Sequence, residues 1–370
     1  MLPNSLTFLA FFAAVAVVYY VLPHRFRWPL LLVASLYFYA TFDPTYIFLL
    51  LGVTGIAWAG GLAVARTEGR ARKASLAVSV VAVVGALLFF KYYAFLFDSF
   101  DALLQTTGAG GMATVFPRFP RLDLVLAVGL SFYTFSCVSY VADVYSGRLE
   151  AERHFGHFAL YVSFFPKLLA GPIERARPFL EQIRTPVRFS GRGVALGLQV
   201  LLWGLVKKVV IADHLAVFVD ATYGQAAFAS PADLVIATYF FAFQLYCDFS
   251  GYSEMAIGAA KILGIDLMEN FRRPYLSTST PEFWSDRWHL SLATWFRDYM
   301  YIPMGGSRVP TLRKYGNVMA VFLVSGLWHG AAWTFVVWGG LNGLYHVLSV
   351  MTRKLRDGAA SLLRIPGKVR

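Results

Sequence analysis

Two histidines stand in stretches that are otherwise rich in aromatic and small residues, and their side chains are suited to proton transfer. His329 lies between Trp328 and Gly330 near the end of an apolar run, and His289 follows Trp288 in a tryptophan-rich stretch. An imidazole titrates near neutral pH and acts readily as a general base. Because ionisable residues inside apolar runs are costly, His329 is a candidate active-site residue, and His289 is a second candidate because the two histidines, on different segments, are expected to face one cavity. A helix-packing histidine at 329 and an incidental histidine in an interfacial aromatic belt at 289 are the alternatives.

A basic segment follows His289 along the chain. It contains Arg297, Arg313 and Lys314. Guanidinium and ammonium groups bind phosphate, so these three residues are candidates to hold the phosphates of a donor substrate. The alternative is the usual excess of basic residues on the cytoplasmic side of a membrane protein, with Arg297 in an ion pair with Asp298. Tyr301, in the same segment, is predicted to line the active-site cavity that the two histidines face.

Other polar residues also interrupt apolar runs. Asp248 ends such a run close to Gly251, which predicts a helix break there. The Asp248 carboxylate then either caps the next helix or lines the active-site cavity, together with Trp288 and Trp328. Lys167 either extends its ammonium group to the surface or meets an anionic part of the substrate.

Familiar motifs of soluble enzymes are missing from the chain. It has no glycine-rich phosphate loop, no His-Glu-x-x-His and no Cys-x-x-Cys. We therefore predict no metal site, and a nucleoside triphosphatase or zinc hydrolase receives little support. Cys137 and Cys247 are the only cysteines, which excludes a disulfide scaffold.

The composition indicates a membrane protein. Of 370 residues, 58% are hydrophobic and 15% are charged, against about 25% charged in soluble domains. This excludes a disordered chain and weighs against a soluble enzyme. The apolar runs are long and uniform rather than alternating, which predicts an all-α polytopic membrane protein and not a β-barrel. The net charge is +12, and the basic residues that cause it lie between apolar runs. We therefore expect basic loops and no nucleic-acid partner.

Ten apolar runs are the elements that must position these side chains, since a spanning helix needs about 20 mostly apolar residues. The candidate spans are 6–22, 28–40, 44–65, 74–97, 122–145, 155–171, 193–212, 232–249, 317–329 and 331–350. The short run 155–171 is expected to enter and leave the membrane by one side. Residues 98–121 are expected to form an external linker.

Basic residues predict the orientation of the chain. They follow the first, third and fifth runs, which places the N-terminus outside the cytoplasm. The polar stretch 251–315 still holds several tryptophans, so interfacial or re-entrant helices at the cytoplasmic face are expected. The tail 351–370 is basic and therefore cytoplasmic. We predict about nine crossings and a single integral-membrane domain over 1–370.

Several segments resemble, in order and spacing, the membrane-bound O-acyltransferase family. They are 164–173, 248–265, 275–277 with 288–306, and 326–331. The likeness is strongest to the bacterial branch that acts in alginate O-acetylation and, near it, in D-alanyl transfer to teichoic acids. It covers a core of about 155–331, and the helices within 1–154 agree more weakly. The resemblance implies a ring of about nine or more transmembrane helices, with re-entrant and interfacial helices, around a central funnel.

The resemblance also implies roles for the two histidines. His329 matches the catalytic histidine of the family and is expected to deprotonate an acceptor hydroxyl, which then attacks a thioester. His289 matches a second active-site histidine, which would orient a group or stabilise the developing oxyanion. The resemblance implies no bound cofactor and a donor such as acetyl-CoA or another acyl thioester. The expected partners are membrane lipid, an extracytoplasmic acetyl-transfer protein and a polysaccharide acceptor, and the expected location is the bacterial inner membrane.

The chain also departs from this family pattern. Members of the branch usually continue with further helices, so this chain is expected to be a short member or a truncated product. Asp286 and Arg287 stand where a pair of arginines is usual. A transporter or flippase of a lipid or sugar is the alternative from another class, because broken helices and buried charges suit it as well. A non-catalytic scaffold of an envelope complex is a third.

Overall fold

A computed structural model describes residues 1–106 and 127–362, and within these residues the secondary structure is helical, with no β-strand. The chain divides into two compact units. Unit 1 comprises Met1–Leu87 and Val125–Asn270, and unit 2 comprises Leu88–Leu124 and Phe271–Arg370. Both candidate histidines lie in unit 2.

The helices of unit 1 are mostly long and apolar. They are α1 (Leu6–Val21), α2 (Arg27–Ala40), α3 (Tyr46–Arg66), the first part of α4 (Gly69–Thr106), α5 (Leu130–Tyr145), α6 (Phe155–Ser163), α7 (Ala176–Arg184), α8 (Gly191–Leu205), α9 (Asp213–Gly224) and α10 (Pro231–Ile262). A π-helical turn, Val206–Ala212, joins α8 to α9.

Unit 2 contains the end of α4 and several shorter elements before its two long helices. The shorter elements include α11 (Thr280–Glu282) and α12 (Leu290–Phe296). The two long helices are α13 (Thr311–His329) and α14 (Trp333–Met351), and α15 (Arg353–Leu362) follows them. Two π-helical turns, Phe283–Arg287 and Arg297–Tyr301, flank α12.

Four of the helical segments that the structure describes are long and apolar enough to cross a membrane. They are Tyr46–Arg66, Gly69–Thr106, Gly191–Gly224 and Pro231–Ile262, and the apolar α1 is shorter. Each overlaps a span that the sequence predicts. The chain is therefore an all-helical membrane protein as far as the structure describes it. The ring of about nine crossings and the outward N-terminus stay predictions.

The packing of α8 against α10 overturns the predicted helix break at Gly251. Helix α10 runs without interruption through this residue. A Cβ atom at Gly251 would lie 2.7 Å from the carbonyl oxygen of Gly204, and one at Gly258 would lie 2.6 Å from that of Gly197. Glycine therefore serves here to bring two helix backbones into contact, as in other small-residue interfaces of membrane helices.

Two further expectations need correction. The predicted linker 98–121 is helical as far as Thr106, because α4 extends to that residue, and its remainder lies outside the described residues. Lys167 does not reach the surface: it is 4% exposed. Its Nζ lies 4.4 Å from the ring centroid of Tyr161 and 5.5 Å from that of Phe179. These aromatic faces stabilise the ammonium group inside unit 1.

Candidate active site

The end of α13 carries His329. Helix α13 packs closely on α14, and Gly326 lies at the contact. A Cβ atom at this position would lie 2.3 Å from the carbonyl oxygen of Phe335 and 3.1 Å from Gly339 Cα. The helix ends at His329, and Gly330 continues in an extended conformation. The close crossing brings the His329 imidazole to 5.2 Å from the Trp338 ring, centroid to centroid.

His289 is held in an unusual backbone conformation at the start of α12. Its φ angle is +47°, a left-handed value that a residue with a β-carbon adopts only at a cost. The π-helical turn Phe283–Arg287 precedes it. Arg287 fixes this turn by donating to Glu282 Oε1 at 2.9 Å and to the carbonyl oxygens of Arg272 and Arg273 at 3.1 and 3.2 Å. Strain of this kind is concentrated at functional sites.

The two predicted histidines lie side by side. The ring centroids of His289 and His329 are 6.4 Å apart. Trp328 contacts both rings, at 6.0 Å from His289 and 5.0 Å from His329. His289 is only 2% exposed. Burial, with a smaller contribution from His329, holds the pKa of the His289 imidazole well below its usual value. The imidazole of His289 is therefore neutral at neutral pH.

Both imidazoles face one cavity of about 380 Å³ within unit 2. One face of α13 lines it with Val318, Phe322, Ser325 and His329, which recur at helical spacing. These residues span about 16 Å along the helix. The paired imidazoles thus lie at the His329 end of this face.

The predicted site residues fall into two groups. His289, His329, Trp288, Tyr301 and Arg297 line the cavity. Arg297 also donates from Nε to Asp298 Oδ1 at 2.9 Å, as its predicted ion pair requires.

Four predicted site residues do not line it. Trp328 is buried beside both imidazoles instead. Arg313 donates to the carbonyl oxygen of Met304, and Lys314 lies 5.8 Å from the Tyr315 ring centroid. Asp248 lies in the middle of α10 in unit 1, where its Oδ1 is 2.5 Å from Lys208 Nζ. Asp248 therefore caps no helix.

Sequence reasoning missed three polar residues near the histidines. His346, on α14, lines the cavity, and its buried Nδ1 makes no hydrogen bond within the described part of the chain. Lys91 and Tyr92, on α4, donate hydrogen bonds to the carbonyl oxygens of Trp328 and Leu327. Lys91 and His346 interrupt apolar runs, so the rule that singled out His329 applies to them too.

The arrangement supplies a proton acceptor, a second imidazole and a cation around a space for a small substrate. A general base needs to approach a hydroxyl closely, and a neutral imidazole donates a hydrogen bond to a developing oxyanion. Within 1–106 and 127–362, no group of three or more His, Cys, Asp and Glu side chains is arranged to hold a metal ion. The chemistry that these side chains support is proton transfer coupled to attack by a hydroxyl.

Comparison with known proteins defines the class of this chain. The model of the membrane-bound O-acyltransferase family matches residues 148–360. This range exceeds half of the chain and includes both histidines and every residue that lines the cavity. The chain therefore belongs to the membrane-bound O-acyltransferase family.

Individual relatives of the chain carry three different descriptions. The chain is 39% identical over 344 residues to a protein of Azotobacter vinelandii named as a probable alginate O-acetylase, with 92% of this chain and 66% of the relative covered. It is 35% identical to the peptidoglycan O-acetyltransferase of Helicobacter pylori, over 88% of this chain and 65% of the relative. It is 29% identical to the teichoic acid D-alanyltransferase of Bacillus subtilis, over 63% of this chain and 60% of the relative. The chain thus spans 60–66% of the length of these relatives.

Proposed function

We propose that this chain is a membrane O-acyltransferase that moves an acetyl group from a thioester, such as acetyl-CoA, to a hydroxyl of an exported cell-envelope polysaccharide or of a relay partner. The observation that carries the proposal is the pair of imidazoles, 6.4 Å apart, facing one cavity in the part of the chain that matches the family. The relatives that act on alginate and peptidoglycan support the polysaccharide class of acceptor.

His329 acts as the general base in this proposal. It takes the proton of the acceptor hydroxyl as the oxygen attacks the thioester carbonyl carbon. A tetrahedral intermediate forms and then collapses, and the carbon–sulfur bond breaks. The proton on His329 passes to the leaving thiolate. The products are an ester and a free thiol, and His329 returns to its neutral form.

His289 stabilises the oxyanion of the tetrahedral intermediate. Its imidazole is neutral, so it offers one N–H donor to the developing oxyanion. The left-handed conformation of residue 289 fixes the direction in which the ring leaves the backbone. A donor held rigidly before the reaction begins is more effective than one that must reorient.

Arg297 is the residue best placed to bind the donor phosphates. Among the described residues that line the cavity it is the one arginine or lysine, and its guanidinium group suits phosphate oxygens. Arg313 and Lys314 contribute at longer range. In this arrangement the donor enters from the cytoplasm through the central funnel of a ring of helices, and the acetyl group leaves toward an extracytoplasmic partner.

The test is turnover of radiolabelled acetyl-CoA by the protein in lipid vesicles, with and without a cell-envelope extract. We expect His329→Ala to lower turnover by about 10³-fold, within the range for loss of a general base. His214→Ala is the matched control, because His214 is an exposed histidine of unit 1. Turnover that survives in His329→Ala would contradict the proposal, and so would transport of a lipid or sugar without acyl transfer.

The teichoic acid relative favours a second candidate, transfer of a D-alanyl group. The same base and oxyanion donor serve this reaction, because it also joins a hydroxyl to an activated acyl carbon. A parallel assay with a D-alanyl thioester separates the two. Preference for the acetyl donor supports the first candidate, and preference for the D-alanyl donor supports the second.

A further inference from the structure

The last turn of α13 has carbonyl groups that the helix itself cannot satisfy. The final four carbonyl oxygens of any α-helix have no intrahelical N–H partner. In α13 these belong to residues 326–329, and Gly330 N–H approaches only the Gly326 oxygen, at 3.4 Å. The carbonyl oxygens of Leu327 and Trp328 must find donors elsewhere. They belong to the same turn as His329, so their donors also determine where its imidazole lies.

Two consecutive residues of α4 supply these donors. The Lys91 ammonium group donates to the Trp328 oxygen, and the Tyr92 hydroxyl donates to the Leu327 oxygen. Lys91 Nζ also lies 5.7 Å from the centroid of the Trp328 ring. A positive charge at the C-terminal end of a helix is favourable, and a charge-assisted hydrogen bond is stronger than a neutral one.

We propose that Lys91 and Tyr92 are positioning residues that fix the last turn of α13 and thereby hold the His329 imidazole against its neighbours. The inference rests on the proposed function, because positioning matters only if His329 takes part in the reaction. Neither residue lines the cavity. Each acts through a backbone carbonyl one or two residues before His329.

Trp328 extends the effect of Lys91 to both imidazoles. The Lys91 ammonium group contacts both the carbonyl oxygen and the ring of Trp328. The Trp328 ring in turn lies 6.0 Å from His289 and 5.0 Å from His329. Loss of the ammonium group therefore releases the residue that packs against both rings. The chemical step needs the base at a fixed distance from the hydroxyl, whereas donor binding depends on the cavity walls.

The kinetic test separates these two requirements. Lys91→Met keeps an unbranched side chain and removes the donor, and we expect it to lower kcat by about 10- to 100-fold with little change in KM for the thioester. Lys91→Arg restores a charged donor and should recover most of kcat. Tyr92→Phe should cause a smaller decrease of the same kind. Lys73→Met is the control, because Lys73 is an exposed residue of the same helix.

A second measurement does not require activity. Deuterium uptake in a peptide covering 325–330 should be faster in Lys91→Met than in the wild-type protein and unchanged in Lys73→Met. Equal uptake in all three proteins would overturn the inference even if no acyl transfer is found. Wild-type kcat in Lys91→Met, or a rise in KM alone, would also overturn it. Failure of the proposed function has a different signature: turnover that does not depend on His329.

Discussion

Ionisable side chains lie among apolar helices in two regions of this protein, and the two regions treat them differently. The charge cluster of unit 1 consists of Lys207, Lys208, Asp213, Asp248 and Glu254. The histidine cavity of unit 2 is the chamber lined by His289, His329 and His346. Both regions carry residues that are costly to bury.

Opposite charges contact each other directly in the charge cluster. Lys207 Nζ lies 2.5 Å from Glu254 Oε1, and Lys208 Nζ lies 2.8 Å from Asp213 Oδ1 and 2.5 Å from Asp248 Oδ1. The imidazoles in the histidine cavity instead face a space of about 380 Å³. A polar group beside a cavity remains available to a substrate, whereas a group paired with its counterion serves the fold. Residue type alone does not distinguish these cases.

The largest expected effect tests whether His289 serves the chemistry of the histidine cavity. His289→Asn, with a side chain that tolerates the left-handed backbone, should lower acetyl transfer by up to about 10³-fold, the range for loss of an oxyanion donor, and leave thermal unfolding in detergent unchanged. Asparagine lacks the imidazole that faces the cavity. A large loss of thermal stability in this variant would mean that His289 serves packing as the charge cluster does.

The second effect concerns stability in the charge cluster. Lys207→Met leaves Glu254 without its counterion in the interior of unit 1, which should lower the free energy of unfolding by about 3 kcal/mol. Acetyl transfer per folded molecule should stay the same. Unfolding in mixed detergent micelles measures the first quantity, and turnover normalised to folded protein measures the second.

The double variant Lys207→Met with Glu254→Gln is the control for this prediction. Removing both charges should recover part of the lost stability, because no unpaired charge is left. If the single variant abolishes turnover while the protein stays folded, the charge cluster has a functional role and the contrast between the regions fails.

The smallest effect distinguishes basic residues within unit 2. Arg297→Gln should raise KM for acetyl-CoA about tenfold with little change in kcat, since a charge-assisted hydrogen bond contributes roughly 1.5–3 kcal/mol. Arg313→Gln is the matched variant, and because Arg313 does not line the cavity, its KM should change less. Steady-state kinetics over a range of acetyl-CoA concentrations measures both. Equal effects would show that the donor contacts the basic segment as a whole.

Some features could be predicted because a local pattern carries them. Apolar runs marked the four long helical segments, since hydropathy and length are local properties. The cost of an ionisable group in an apolar run marked His329, and the structure places His289 beside it. The same rule failed for Asp248, because its counterion Lys208 is forty residues away in the chain. The separate prediction of a helix break at Gly251 failed because the helix packed against that residue is likewise distant in the chain.

The sequence by itself determined that this chain is helical, apolar and a member of its family, because composition, hydropathy and motif spacing reside in short stretches of residues. Tertiary structure decided which ionisable groups are paired and which face a cavity. It also decided that Lys91 and Tyr92 bond to the turn that carries His329. The physical reason is that a charge in an apolar interior is stabilised by whatever lies within a few ångströms of it, and folding brings those neighbours from distant parts of the chain.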